Sequence, residues 1–244
     1  DYADKIGEFP HLIVNQARVL DYFAEAAAHG PARIAPDYGV EFVGLTVHDS
    51  GEYPVEVRLG AGGTSATRTV RAKYVVGCDG TRSAVRDAIG RTHIGDASMH
   101  AWGVMDVLVN TDFPDWRFKC AINSEAGNIL HIPREGGYLS RMYIDLGAVA
   151  DDDAHHVRET PIEAIIARAN EILHPYSLDV QRVAWHSVYE VGHRVTDKFD
   201  DVPSGSDHPP RVFLTGDACH THSAKAGQGM NVSMQDGFNL GWKL

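Results

Sequence analysis

The run from Arg211 to Asn231 constrains this chain more than any other part of it. Val212–Leu214 predicts a buried strand, Gly216-Asp217 a sharp break, and the residues from about Met230 a helix. Gly227 and Gly229 remove Cβ where the backbone has to approach something closely. A helix opening there presents free N–H groups and the positive end of its dipole. An acidic side chain at a strand's end, a glycine loop and a helix N-terminus aimed at one point make a nucleotide-type cofactor site. A lone Gly-x-Gly would carry little weight, but the complete run carries a great deal.

A second segment has the same grammar. Tyr74–Gly77 reads as a strand, Asp79-Gly80 as a turn, and Thr81 or Ser83 as the cap of a short helix ending near Gly90. Gly216-Asp217-Ala218 with Ala226-Gly227-Gln228-Gly229-Met230-Asn231 resembles the GD motif of FAD-dependent aromatic hydroxylases. The segment from Tyr74 to Arg86 resembles that family's DG motif. His220–Ser223, Phe9-Pro10-His11, Asn15–Val19 and Ile132-Pro133-Arg134-Glu135 resemble its phenol 2-monooxygenase and 3-hydroxybenzoate 4-monooxygenase branch. The matches run from Phe9 to Leu244 in the family's order.

The resemblance implies an α/β fold with α+β elements: a Rossmann-like FAD-binding domain interrupted by a mainly β substrate domain. The expected boundaries are 1–96 for the first part of the cofactor domain, 97–196 for the insertion and 197–244 for the return. No Gly-x-Gly-x-x-Gly follows a strand here, since Gly60-Ala61-Gly62-Gly63 is a hairpin tip. The chain therefore reads as an interior fragment lacking the first βαβ unit, one that binds FAD poorly alone. The resemblance adds a C-terminal thioredoxin-like domain to the full protein.

Local patterns supply the elements. Asn15 is a good N-cap for a helix over 16–28, with Val19, Leu20, Phe23 and Ala27 on its core face. Period-two alternation marks Val43, Leu45 and Val47, then Val55, Val57 and Leu59, as core-facing strand residues. Further strands are expected at 101–109, 128–132, 139–145 and 180–188, and a helix at 161–173 with Pro161 at its first position. Asp151-Asp152-Asp153 reads as a solvated loop.

The resemblance also implies the roles of particular residues. Asp217 accepts hydrogen bonds from ribityl hydroxyls, while Gly227, Gln228, Gly229, Met230 and Asn231 meet the flavin's pyrimidine edge through backbone N–H groups. Asp79 lies near the pyrophosphate and the nicotinamide path, and Gln16 touches FAD. Arg134 and Tyr143 face the substrate. A Tyr hydroxyl can hold a phenol oxygen, and Arg can stabilise a phenolate or carboxylate. The implied reaction is hydroxylation of a phenol or hydroxybenzoate with NADPH and O2, through a flavin C4a-hydroperoxide, with the general base upstream of this chain. The alternatives are another GD-motif flavoenzyme, such as an epoxidase, halogenase or reductase, and a non-catalytic fragment. Ala224 stands where the family has Pro, which predicts a less rigid loop.

Composition trims the remaining options. A net charge of −11 argues against a nucleic-acid partner. No stretch is apolar enough to span a membrane. Cys78, Cys120 and Cys219 show no Cys-x-x-Cys spacing, which fits a reducing cytoplasm. Fourteen His residues raise the question of metal, but His220/His222 and His155/His156 lack metal-ligand spacing, and no metal is expected. His220 and His222 are expected to bond the loop backbone, and Cys219 to be a small buried residue. Lys225 is balanced between a flavin-side charge and a solvated one. For the full-length protein a homodimer is one assembly open to it.

Overall fold

The computed structural model describes residues 12–63, 65–134, 136–148, 159–222 and 227–244. Phe9-Pro10-His11, Glu135, Asp151-Asp152-Asp153, His155, His156 and the loop bearing Ala224 and Lys225 lie outside the described residues. The chain divides into two compact units. Residues 37–98 and 191–244 form the first; Met99–Glu190, together with the N-terminal residues up to Pro36, form the second. The strands β5 (His93–Thr111) and β9 (Leu178–Thr196) run from one unit into the other.

In the first unit, β1 (Val40–Val47), β2 (Val55–Ala61) and β3 (Thr67–Ala72) make an antiparallel meander. β4 (Val75–Gly77) and β10 (Val212–Leu214) pair in parallel, Val75 opposite Val212 and Gly77 opposite Leu214. The helix α2 (Ala84–Ala88) follows β4. A single 3-10 turn, Gly216–Ala218, follows β10 and leads to β11 (His220–Thr221), which pairs with Val195 and Arg194 of β9. The core joins Val55, Val57, Val85, Val212, Leu214, Ala218 and Cys219. Gly77 is required by this packing, because a Cβ there would lie 2.9 Å from the Val85 side chain and 3.0 Å from Leu214.

The alternation expected for β1 fails. The register shifts between Phe42 and Gly44, so Phe42 and Leu45 pack on the core while Val43 is exposed; Val47, the last residue of the strand, is exposed as well. A bulge adds one residue to the strand and turns the following side chains over, which a uniform period of two cannot anticipate.

The second unit is built on an antiparallel sheet. Its order is β9, β5, β8 (Ser140–Ala148), β7 (Gly127–Pro133) and β6 (Cys120–Ser124). The helix α3 (Ile162–Leu173) covers one face. Its Ile165, Ala169, Ile172 and Leu173 bury against Met105, Val107, Ile129, Met142 and Ile144. Each of those large side chains contributes about 1.5–3 kcal/mol by leaving water. Pro161 occupies the N-cap rather than the first helical position, in an extended conformation. Alternation along β8 and β7 leaves Arg141, Tyr143, Leu130 and Ile132 on the face opposite α3.

The helix α1 (Gln16–His29) is capped as expected, the Asn15 side chain accepting from the Ala17 N–H at 2.9 Å. Its predicted core face is not buried: Leu20 is 67% and Phe23 58% exposed. Periodicity identifies an amphipathic helix, but burial needs a partner surface, and none among the described residues supplies it.

Candidate functional site

Parallel pairing puts the two turns side by side. β4 and β10 end at the same level, so Asp79-Gly80 and Gly216-Asp217 both leave from the C-terminal edge of that pair. In open α/β sheets this is the edge where ligands bind. The turns are tied directly. Cys78 Sγ lies 3.0 Å from Thr215 Oγ1, and the Thr215 N–H donates to the Gly77 carbonyl at 3.0 Å. Arg86, 7% exposed, donates through Nη1 to the Thr81 carbonyl at 3.0 Å and to the Ala218 carbonyl at 3.1 Å. His93 Nε2 lies 3.2 Å from the same nitrogen. Burial, with the charge of Arg86 beside it, lowers the pKa of His93.

Asp217 and Asp79 have different employments. Asp217 is exposed between buried Gly216 and Ala218, and its carboxylate takes no hydrogen bond among the described residues. An acceptor so placed at a strand's end fits the hydroxyls of a ribityl or ribose chain. The Asp79 carboxylate is engaged at the start of α2, accepting from the Ser83 hydroxyl on Oδ1 and from the Val85 N–H on Oδ2 at 3.1 Å. The structure therefore uses Asp79 to fix the turn and the start of α2.

The glycine segment fits a close-lying group. Gly227 has φ +65°, and a Cβ there would meet nothing within 4 Å. Asn231 folds back to donate to the Gly227 carbonyl at 3.0 Å, which closes the turn. Gln228 occupies the N-cap of α4 (Gly229–Gly241) without capping it by its side chain, and among the described residues no side chain caps the helix that Gly229, Met230 and Asn231 begin. That end can take the negative edge of a bound ring system.

Asp236, further along α4, locks the turn from behind. Its Oδ2 accepts from the Gly216 N–H at 3.0 Å and from His220 Nε2 at 2.6 Å. His220 thus bonds a side chain, where a bond to loop backbone was expected; Asp236 sits beyond the loop in sequence and reaches back to it. The ring of His222 stands 6.3 Å from that of His220. Cys219, His220 and Asp236 hold one donor atom each within 4.8 Å of one another. Those atoms are already engaged with each other and with the turn. Burial pushes the Cys219 thiol up to about 12, so it stays protonated and donates to the Gly216 carbonyl at 3.3 Å.

Arg134, Tyr143 and Gln16 belong to the other unit. Gln16 is the exposed first residue of α1. The backbone of Arg134 closes the β7–β8 hairpin by donating to the Leu139 carbonyl at 2.9 Å. Its side chain donates to Asp106 Oδ2 at 3.1 Å. Arg141 also grips Asp106, and this attachment raises its pKa. Tyr143 lies opposite Val104 and Leu130 on the same face. The sequence reading missed Asp236 and Asp106, and gave Arg86 and Arg141 no role of their own. One signal was available: Asp106 is a lone charge in the apolar run Val104-Met105-Asp106-Val107, and a buried charge needs a partner.

A family model described as "FAD binding domain" matches residues 6–244. The chain belongs to the FAD-binding-domain family. It is 52% identical, over its whole length, to a 3-hydroxybenzoate 4-monooxygenase of Comamonas testosteroni. Over 82% of its length it is 41% identical to a phenol 2-monooxygenase of Aspergillus fumigatus. It spans 39% and 33% of the lengths of those two proteins. Among solved structures, CabE, an aromatic hydroxylase from angucycline biosynthesis, matches with a TM-score of 0.62 and 28% identity. That match covers 84% of this chain and 38% of CabE. The mixed α/β architecture is that of this family, and the relatives' names agree with the aromatic-hydroxylase resemblance. Among the described residues no helix is long and apolar enough to cross a membrane.

Proposed function

We propose that the full-length protein is an FAD-dependent monooxygenase that hydroxylates a phenolic aromatic compound of the phenol or hydroxybenzoate type, using NADPH and O2. The observation that carries this reading is the convergence of the DG and GD turns on the C-terminal edge of the β4–β10 pair, with exposed Asp217 there. FAD, when bound, supplies the redox chemistry that activates O2.

The chain's own residues bind and orient. Asp217 holds the ribityl hydroxyls, and the N–H groups from Gly227 to Asn231 take the pyrimidine edge. Asp79 and Arg86 keep the neighbouring turn in place. Tyr143 orients the aromatic substrate through its hydroxyl, and Arg134 contributes positive charge to the same face. Gln16 contacts FAD from the start of α1. In this reading 1–96 and 197–244 belong to the cofactor domain, 97–196 to the substrate domain, and the protein works in the cytoplasm, which fits three free cysteines.

Asp217→Ala in the full-length protein tests the assignment. Losing a charge-assisted hydrogen bond should weaken FAD binding by about 1.5–3 kcal/mol, roughly 10- to 150-fold in Kd. Titration of the apoprotein with FAD measures it. An unchanged Kd removes Asp217 from the site.

A further inference from the structure

One face of α4 is fitted to the turn that carries Asp217. Gly229, Ser233 and Asp236 fall at i, i+4 and i+7 and so share that face. A Cβ at Gly216 would stand 3.0 Å from Ser233 Oγ, and one at Gly229 would stand 3.7 Å from His222 Cε1. Asp236 is the charged member of the stripe, and two donors meet on its Oδ2: the Gly216 N–H at 3.0 Å and His220 Nε2 at 2.6 Å. A carboxylate oxygen accepts, so both nitrogens donate. Gly216 is thereby held at both of its polar atoms, because its carbonyl accepts the Cys219 N–H at 2.9 Å. Asp217 stands in contrast. Its exposed carboxylate takes no hydrogen bond among the described residues, so the backbone of the turn sets the direction in which it leaves.

We propose that Asp236 is a positioning residue for the flavin: through the Gly216 N–H it fixes the turn in the conformation that aims Asp217 at the ribityl hydroxyls, with His220 holding the Asp236 carboxylate in place. This rests on the ribityl role proposed above for Asp217. Gly216 has φ +60°, a conformation that glycine reaches at no steric cost. Glycine reaches negative φ just as readily, so the residue that permits the turn cannot by itself hold it. The restraint comes from α4, by way of Asp236. Without it the turn would visit other conformations, and FAD would bind only the fraction that aims Asp217 correctly. The apparent Kd rises by the inverse of that fraction.

The test titrates the full-length apoprotein with FAD and follows the quenching of flavin fluorescence, with circular dichroism and thermal unfolding to confirm folded protein. Wild type, Asp217→Ala, Asp236→Ala and the double variant are compared. Asp236→Ala should raise the FAD Kd about tenfold, the effect of a competent fraction cut to about one tenth. In the Asp217→Ala background the same change should alter Kd by less than about twofold, because no carboxylate is left to aim. A merely structural role predicts the same factor in both backgrounds. If Asp236→Ala does not give folded apoprotein, Asp236→Asn takes its place. It keeps an oxygen for the two donors but loses the charge that strengthens their bonds, and should raise Kd about threefold, again only where Asp217 is present. An unchanged Kd for the variant used overturns the proposal, and so does an equal factor in the two backgrounds. An unchanged Kd for Asp217→Ala overturns the ribityl role itself, and this inference with it. A weakened Asp217→Ala beside an unaffected Asp236 variant overturns the inference alone.

Discussion

His131 makes a quantitative test of the second unit's core. It is fully buried on the α3 side of β7, with its ring stacked on Trp116 at 4.1 Å between centres. Nδ1 faces the Phe118 carbonyl at 3.0 Å and therefore donates; Nε2 accepts from the Ser140 hydroxyl. Burial lowers the His131 pKa from 6.5 to about 4. The folded state thus resists a proton that the unfolded chain takes readily below pH 6.5. The stabilisation is fully present above that pH, falls as pH drops toward 4, and changes no further below it. The gap amounts to roughly 3 kcal/mol in all, and about 2 kcal/mol of it is gone by pH 5. His131→Asn keeps an N–H for the Phe118 carbonyl but leaves the Ser140 hydroxyl without its acceptor, costing about 1–3 kcal/mol at pH 7.5. Urea unfolding of both proteins, followed by Trp fluorescence, should show that difference shrinking by about 2 kcal/mol between pH 7.5 and pH 5. A difference that stays constant across that range refutes the reasoning, as does an NMR titration placing the His131 ring near 6.5.

Gly216→Ala should cost about 1–3 kcal/mol of stability and weaken FAD binding, because the position needs left-handed backbone. Gly216 has φ +60°, and a Cβ there would also press to 3.0 Å from Ser233 Oγ on α4. An unchanged Tm together with an unchanged FAD Kd would show that the turn tolerates a side chain. Cys219 should resist iodoacetamide at pH 8 in the native protein while exposed Cys78 reacts, since a thiol pushed up to about 12 is almost wholly protonated there. Peptide mass spectrometry distinguishes them, and comparable labelling of the two would show that the Cys219 pocket opens.

Much of this molecule follows from short-range chemistry. Asn15 and Ser83 cap helices because their side chains satisfy N–H groups within two or three residues, and that demand is written locally. The strand, Gly-Asp turn and glycine-opened helix of the GD segment are likewise legible, because each step needs a particular residue type at a particular place. Asp217 and the stretch from Gly227 to Asn231 could therefore be singled out from the amino-acid order.

Tertiary structure decided what depends on partners distant in the chain. Whether Val43 or Phe42 faces the core turned on a bulge set by pairing with β2. Asp79 and Asp217 look alike as acidic residues at strand ends, yet one is engaged at the start of α2 and the other left exposed. The carboxylate of Asp236 reaches Gly216 because α4 folds back along the turn, and that of Asp106 meets Arg134 and Arg141 because β5 pairs with β8. No periodicity encodes such meetings: a carboxylate's partner is chosen by where the backbone brings a donor, and in a buried site the cost of leaving the charge alone makes that choice binding.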